Sequence, residues 1–258
     1  MIAVFDRISA WRERRVCDRR RGLTLGFVPT MGALHEGHLS LVERSRAEND
    51  RTLVSVFVNP TQFDDASDFD AYPRMHQRDL ALLDAAGVDF VLVPRADDMY
   101  ADGFRYRVSE TELSTILEGV HRPGHFAGML TVVLKLLNIA AAERAYFGEK
   151  DWQQLNLVRG MADAFFLPTT IVACPTVRES TGLALSSRNA RFTPPDRERA
   201  ATLHRVLRSA ATPDDAIDQL TDAGFAVDYV NDREGRRLAA VRLRGVRLID
   251  NVPLPGAP

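Results

Sequence analysis

Cysteine is nearly absent: Cys17 and Cys174 are the two in 258 residues, too few for a disulfide framework. Cys174 sits in an apolar run and reads as a small core residue. No apolar stretch approaches the ~20 residues of a membrane span. The opening run, Met1 to Phe5, meets Asp6 and Arg7 too soon for the hydrophobic region of a signal peptide. A cytoplasmic protein is expected. A net charge of −2 gives no overall electrostatic case for nucleic acid or a membrane surface. The arginine-rich run from Arg12 to Arg21 is the local exception. It reads as the solvated outer side of the first helix, with a polyanion partner as the alternative. No internal repeat of fixed period is visible.

What is present is the pattern of an open α/β sheet. Apolar runs at Leu23–Val28, Thr52–Val58, Val88–Val93, Ala145–Phe147 and Thr169–Ala173 read as strands. Helix-like stretches separate them, among them a mostly apolar one from Phe126 to Asn138 and one with Leu155, Val158 and Met161 on its inner face. That alternation predicts a doubly wound parallel sheet, Rossmann-like in class. Past Pro175 the texture turns polar. Two helices, Pro194–Ala211 and Pro213–Ala223, and three short strands, Ala226–Val230, Leu238–Leu243 and Val246–Ile249, are then expected. The predicted division is residues 1–175 and a small C-terminal α+β domain over 176–258.

One stretch organises the chemistry: Pro29-Thr30-Met31-Gly32-Ala33-Leu34-His35-Glu36-Gly37-His38. It joins a strand to a helix, where an open α/β sheet binds ligands. A helix start there offers free N–H groups and about half a positive charge to an anion. With Gly37 beginning the helix, both imidazoles can face the crevice as donors to phosphate oxygens. Two blander readings compete. A zinc site lacks the His-Glu-x-x-His spacing and nearby partners, and the other is a pair of surface histidines.

Two further clusters suit phosphate. Gly148-Glu149-Lys150-Asp151 follows a strand end, and Leu185-Ser186-Ser187-Arg188-Asn189 combines hydroxyls with a guanidinium fork. An acidic loop, Asp64, Asp65, Asp68 and Asp70, could help hold Mg²⁺. Gln62, after a strand, and Gln154, early in a helix, are neutral amides fit for a small polar acyl substrate. Together these residues read as a nucleotide-triphosphate enzyme.

The same stretches carry a resemblance. Pro29–His38, Val54–Phe63, Tyr72-Pro73-Arg74, His125–Gly128, Phe147–Gln154, Pro175–Glu179, Ser186–Asn189, Val227–Tyr229 and Leu248–Asn251 resemble the pantoate–β-alanine ligase family, within the His-x-Gly-His nucleotidyltransferases. The resemblance covers nearly the whole chain. It implies an ATP- and Mg²⁺-dependent condensation of pantoate with β-alanine through pantoyl adenylate, releasing pyrophosphate and then AMP. It implies that Met31, Gly32, Ala33, Leu34, His35, Glu36, Gly37 and His38 form the ATP-binding turn, with His38 as acid-type catalyst. Gly148, Glu149, Lys150, Asp151 and Val177 would line the nucleotide. Leu185, Ser186, Ser187 and Arg188 would hold its β- and γ-phosphates from a lid-like small domain. Gln62 and Gln154 would bind pantoate. His35, His38, Lys150, Ser186, Ser187 and Arg188 form the expected catalytic set, in a homodimer without nucleic-acid or membrane partners. Leu185 and Trp152 replace a usual methionine and tyrosine, and Asp232–Gly235 stands in for a longer connection. The alternatives are a nucleotidyltransferase that stops at nucleotide transfer and a nucleotide-binding module without catalysis.

Overall fold

The structure, a computed structural model, describes residues 2–63, 69 and 76–256. The acidic loop residues Asp64, Asp65, Asp68 and Asp70, and Tyr72-Pro73-Arg74, lie outside the described residues. The chain divides into two compact units, Met1–Gly148 with Gln153–Cys174, and Glu149–Trp152 with Pro175–Pro258.

The first unit is a six-stranded sheet in the order β1-β4-β3-β2-β5-β6. Its strands are β1 (Ala3–Phe5), β2 (Leu25–Thr30), β3 (Arg51–Val56), β4 (Phe90–Leu92), β5 (Arg144–Gly148) and β6 (Thr170–Cys174). All neighbours pair in parallel. Successive strands spread to one side of β2 and then, from β5, to the other. The order therefore reverses between β2 and β5, and ligands bind beyond the carboxyl ends at such a switch point. The main helices are α1 (Ile8–Arg20), α2 (Glu36–Glu48), α3 (His76–Ala85), α4 (His125–Ala140) and α5 (Trp152–Ala164). Both sheet faces are covered, which explains the near-continuous apolar strands. One core gathers Trp11, Phe27, Leu53 and Phe90 with Met129, Leu130 and Leu136. The other joins Val28, Val54 and Val91 with Leu41, Leu83 and Cys174.

The second unit packs α6 (Pro194–Ala200), α7 (Thr202–Ser209) and α8 (Pro213–Asp222) with an antiparallel sheet. The sheet comprises β7 (Ala226–Arg233), β8 (Arg236–Leu243) and β9 (Val246–Pro253), in that order. Glu234 and Gly235 make a two-residue hairpin turn, both with positive φ. The short Asp232–Gly235 sequence thus closes a regular hairpin.

Several expectations need correction. The arginine run is not wholly a solvated face: Arg15 is buried, and its guanidinium meets both Glu143 carboxylate oxygens at 2.6 and 2.7 Å. It also donates to the carbonyls of Ala141 and Leu23, anchoring α1 to two loops. The helix predicted over 194–211 is interrupted at Ala201, whose amide is shared between the carbonyls of Arg197 and Glu198, a local tightening. The three-residue β1 was not anticipated, being too short to show an alternation of its own.

Candidate active site

The histidine turn is built by positive-φ backbone and one carboxylate. After β2, Gly32 (φ 79°) and Ala33 (φ 50°) turn the chain sharply. Asp79 of α3, 1% exposed, accepts from the amides of Ala33 and Leu34, both at 2.8 Å. Thr30 Oγ1 accepts from the Gly32 amide and donates to the Ser55 carbonyl. A Cβ on Gly32 would stand 2.9 Å from Asp79 Oδ2, so the turn has no room for a side chain there.

α2 begins at Glu36, one residue before the expected Gly37, because His35 is its N-cap. His35 Nδ1 accepts from the Gly37 amide at 3.2 Å, and His38 Nδ1 accepts from the His35 amide at 3.4 Å. The two histidines thus form a reciprocal capping box, a role more often taken by Ser/Thr and Glu. Their ring centroids are 4.1 Å apart. A ring nitrogen that accepts carries no proton, so in the neutral rings the proton sits on Nε2. The helix start therefore selects the tautomer whose outer nitrogen donates.

Gln62 is brought to Met31. Its Nε2 lies 3.0 Å from the Met31 sulfur, a weak acceptor, and its Oε1 accepts from Asn59 Nδ2 at 3.0 Å. Asn59 is 1% exposed and caps the short turn Pro60–Gln62 through Thr61. Tyr100 donates its hydroxyl to Asn59 Oδ1, and burial pushes this phenol up, keeping the proton in place. His125 Nδ1 donates to the Gln62 carbonyl at 2.7 Å, so its Nε2, 3.2 Å from Arg122, accepts from the guanidinium. Behind them Gly128 of α4 lies so close that a Cβ would sit 2.0 Å from the Thr61 carbonyl oxygen. Gln154 lies in the first turn of α5. Its neighbour Gln153 is the structural one, bridging Leu113, Ile116 and Glu118.

In the second unit, Glu149–Asp151 is a single 3₁₀ turn held by Asn251, whose Nδ2 donates to the Glu149 and Lys150 carbonyls at 2.9 and 3.0 Å. Lys150 Nζ is 3.8 Å from Asp151 Oδ2, and Glu149 Oε2 is 3.5 Å from Arg236. Val177 and Leu185 are brought together: the Leu185 amide donates to the Val177 carbonyl at 3.0 Å. Ser186 then caps the turn Ser187–Arg191 by accepting from the Arg188 amide. Buried Asn189 braces that turn on the Ala184 carbonyl. Asp79, Asn59, Tyr100, His125 and Asn251 were not singled out as site residues from sequence. Asn59, His125 and Asn251 did fall inside the motif stretches; Asp79 and Tyr100 carried no local signal.

The family model described as pantoate-beta-alanine ligase matches residues 3–253. The pantothenate synthetase of Bdellovibrio bacteriovorus is 50% identical over 246 residues, 95% of this chain and 96% of that protein. That of Coxiella burnetii is 46% identical over 253 residues, 98% and 97% of the two chains. The crystal structure of the pantoate-beta-alanine ligase of Francisella tularensis, complexed with beta-gamma ATP and beta-alanine, matches with a TM-score of 0.93. It is 40% identical, over 98% of both chains.

Proposed function

This chain belongs to the pantoate–β-alanine ligase family, and from that premise we propose how its residues carry the reaction. The enzyme condenses pantoate with β-alanine, converting ATP to AMP and pyrophosphate through pantoyl adenylate. The observation that carries our assignment is the paired-histidine cap at the end of β2, beside the point where the sheet reverses.

In this reading the Nε2–H groups of His35 and His38, with the amides at the start of α2, donate to phosphate oxygens. Charge builds there as the pantoate carboxylate attacks the α-phosphorus. Such donors need no reorganisation at the moment of reaction. His38 is the acid-type catalyst, stabilising the departing pyrophosphate. Met31, Gly32, Ala33, Leu34, Glu36 and Gly37 shape the turn. Lys150 neutralises phosphate charge, and Gly148, Glu149, Asp151, Val177 and Leu185 border the nucleotide. Ser186, Ser187 and Arg188 supply hydroxyl and guanidinium donors for the β- and γ-phosphates.

Gln62 offers its Nε2 hydrogens to pantoate, since a thioether competes weakly for them, and Gln154 supplies a second amide. No covalent enzyme intermediate is required, because the adenylate is itself the activated acyl group that the β-alanine amine attacks. Catalysis is then positioning and charge stabilisation. Among the described residues no three His, Cys, Asp or Glu side chains gather as a cation site. Mg²⁺ would be held largely through the phosphate oxygens of ATP, the usual habit of this ion, and would neutralise their charge. Among the described residues no helix is long and apolar enough to cross a membrane, and the family resemblance supports reading the enzyme as a cytoplasmic homodimer.

The test is AMP release from ATP and Mg²⁺ with pantoate, with and without β-alanine. AMP and pantothenate should appear together when both substrates are present. Pantoate-dependent pyrophosphate exchange should persist without β-alanine. AMP release that ignores pantoate would overturn the assignment.

A further inference from the structure

We propose that the second unit carries a separate binding site for a phosphomonoester, in a cavity of about 600 Å³ walled by Arg178, His204, Arg208 and Arg236. Every residue lining it belongs to this one unit. Of the residues assigned above to the nucleotide, Glu149 alone borders it.

The charges do not cancel. Arg178 is committed to Asp250 by two hydrogen bonds of 2.7 and 2.8 Å, and that carboxylate also takes the Asn251 amide. Arg236 donates Nε to Asn251 Oδ1 at 2.7 Å but reaches Glu149 only at 3.5 Å. The Arg208 side chain makes no hydrogen bond or ion pair with any other described residue. Three guanidiniums thus face two carboxylates, leaving one positive charge in excess with His204 neutral.

Two buried polar atoms also lack partners. Thr176 Oγ1 and His204 Nδ1 have no hydrogen bond, and Asp250 lies too far from the imidazole, at 3.7 Å. Leaving such groups unpaired is costly, and each is a donor suited to a phosphate oxygen. The imidazole packs closely on Gly182: a Cβ there would stand 2.8 Å from its Cδ2.

The remaining wall is apolar, with Val252, Pro253 and Leu254. A bare phosphate fills little of such a space, whereas a phosphate carrying an organic body matches both walls. Cavities of roughly 300–1,000 Å³ with a few converging polar groups are the usual form of small-ligand sites.

Calorimetric titration of the full protein with phenyl phosphate and with inorganic phosphate tests this. Phenyl phosphate should bind saturably at one site and more tightly than inorganic phosphate. Arg208→Ala should weaken it by about tenfold or more, the scale of a lost charge-assisted hydrogen bond. Lys150→Ala should leave it unchanged. In parallel, the His204 ring should titrate at higher pH once phenyl phosphate is bound. Burial first, then Arg178 and Arg208, against the opposing pull of Asp250, hold the unliganded ring below the ordinary imidazole value. Three results would overturn the proposal. They are no saturable binding, binding lost in Lys150→Ala but kept in Arg208→Ala, or equal affinity for the two probes.

Discussion

Asp79 touches no substrate in our reading, yet it fixes the backbone on which the paired histidines stand. Its two oxygens hold the Ala33 and Leu34 amides, and Asp79→Asn replaces one acceptor by a donor. One buried amide then loses its partner, a loss of about 1–3 kcal/mol. Thermal melting should fall accordingly, and the KM for ATP should rise because the turn is no longer fixed. His38→Ala and Lys150→Ala differ in kind. Each removes a donor to developing charge, so turnover should fall by roughly 100- to 1000-fold with the fold retained. Near-normal turnover in either would remove that residue from the mechanism. The contrast also shows what sequence carries. His35, His38, Lys150 and Gln62 stand in motifs whose chemistry can be read locally. Asp79 reaches the turn across 45 and 46 residues of chain, and Tyr100 reaches Asn59 across 41. Only the folded sheet makes them neighbours.

Among the elements, α4 and α5 offer a matched pair of glycines. Gly128 of α4 lies against the Thr61 carbonyl, where a Cβ would meet oxygen at 2.0 Å. Gly128→Ala should push the Pro60–Gln62 turn away, lowering stability and raising the KM for pantoate. Gly160 of α5 is exposed and has open space at its Cβ position. Gly160→Ala should therefore stabilise the helix, by up to about 1 kcal/mol, with kinetics unchanged. A melting series with both variants tests the packing and the helix propensity separately. Most elements were legible from apolar runs and alternation, because buried parallel strands differ so plainly from amphipathic helices. Their edges were not. β7 and β9 run past the expected end and β8 begins two residues earlier than expected, because hairpin pairing carries ordered ladders through polar residues such as Asp232, Arg233 and Arg236. The burial of Arg15 escaped notice because its partner, Glu143, lies on a remote loop.

For the whole molecule, stability should respond to pH at both ends. Asp102 is held down to about 2, first by the Tyr106 amide and then by Lys135. Its folded value lies below its ordinary 3.8, so its contribution is complete above that pH and fades as pH falls toward 2. The melting gap between the native protein and Asp102→Asn should narrow over that window. Tyr146 is pushed up to about 12, chiefly by burial, so the neutral phenol favours the fold. That contribution is full below 10 and lost as pH rises toward 12. Tyr146→Phe should flatten this alkaline loss, and melting between pH 9 and 12 would show it.

The hold of Asn251 on the Glu149 and Lys150 carbonyls bears on the order in which the molecule is completed in time. The large sheet needs distant pairings, such as Gly26 opposite Arg144, but all its strands are available once residue 174 has been made. The antiparallel sheet joins strands adjacent in sequence, a quicker closure. The lysine turn waits for it, although its own residues were synthesised long before. A nascent chain can therefore finish its sheet and its histidine turn while the lysine turn still lacks the amide that holds it. In our reading of Lys150, competence for the reaction therefore waits for β9.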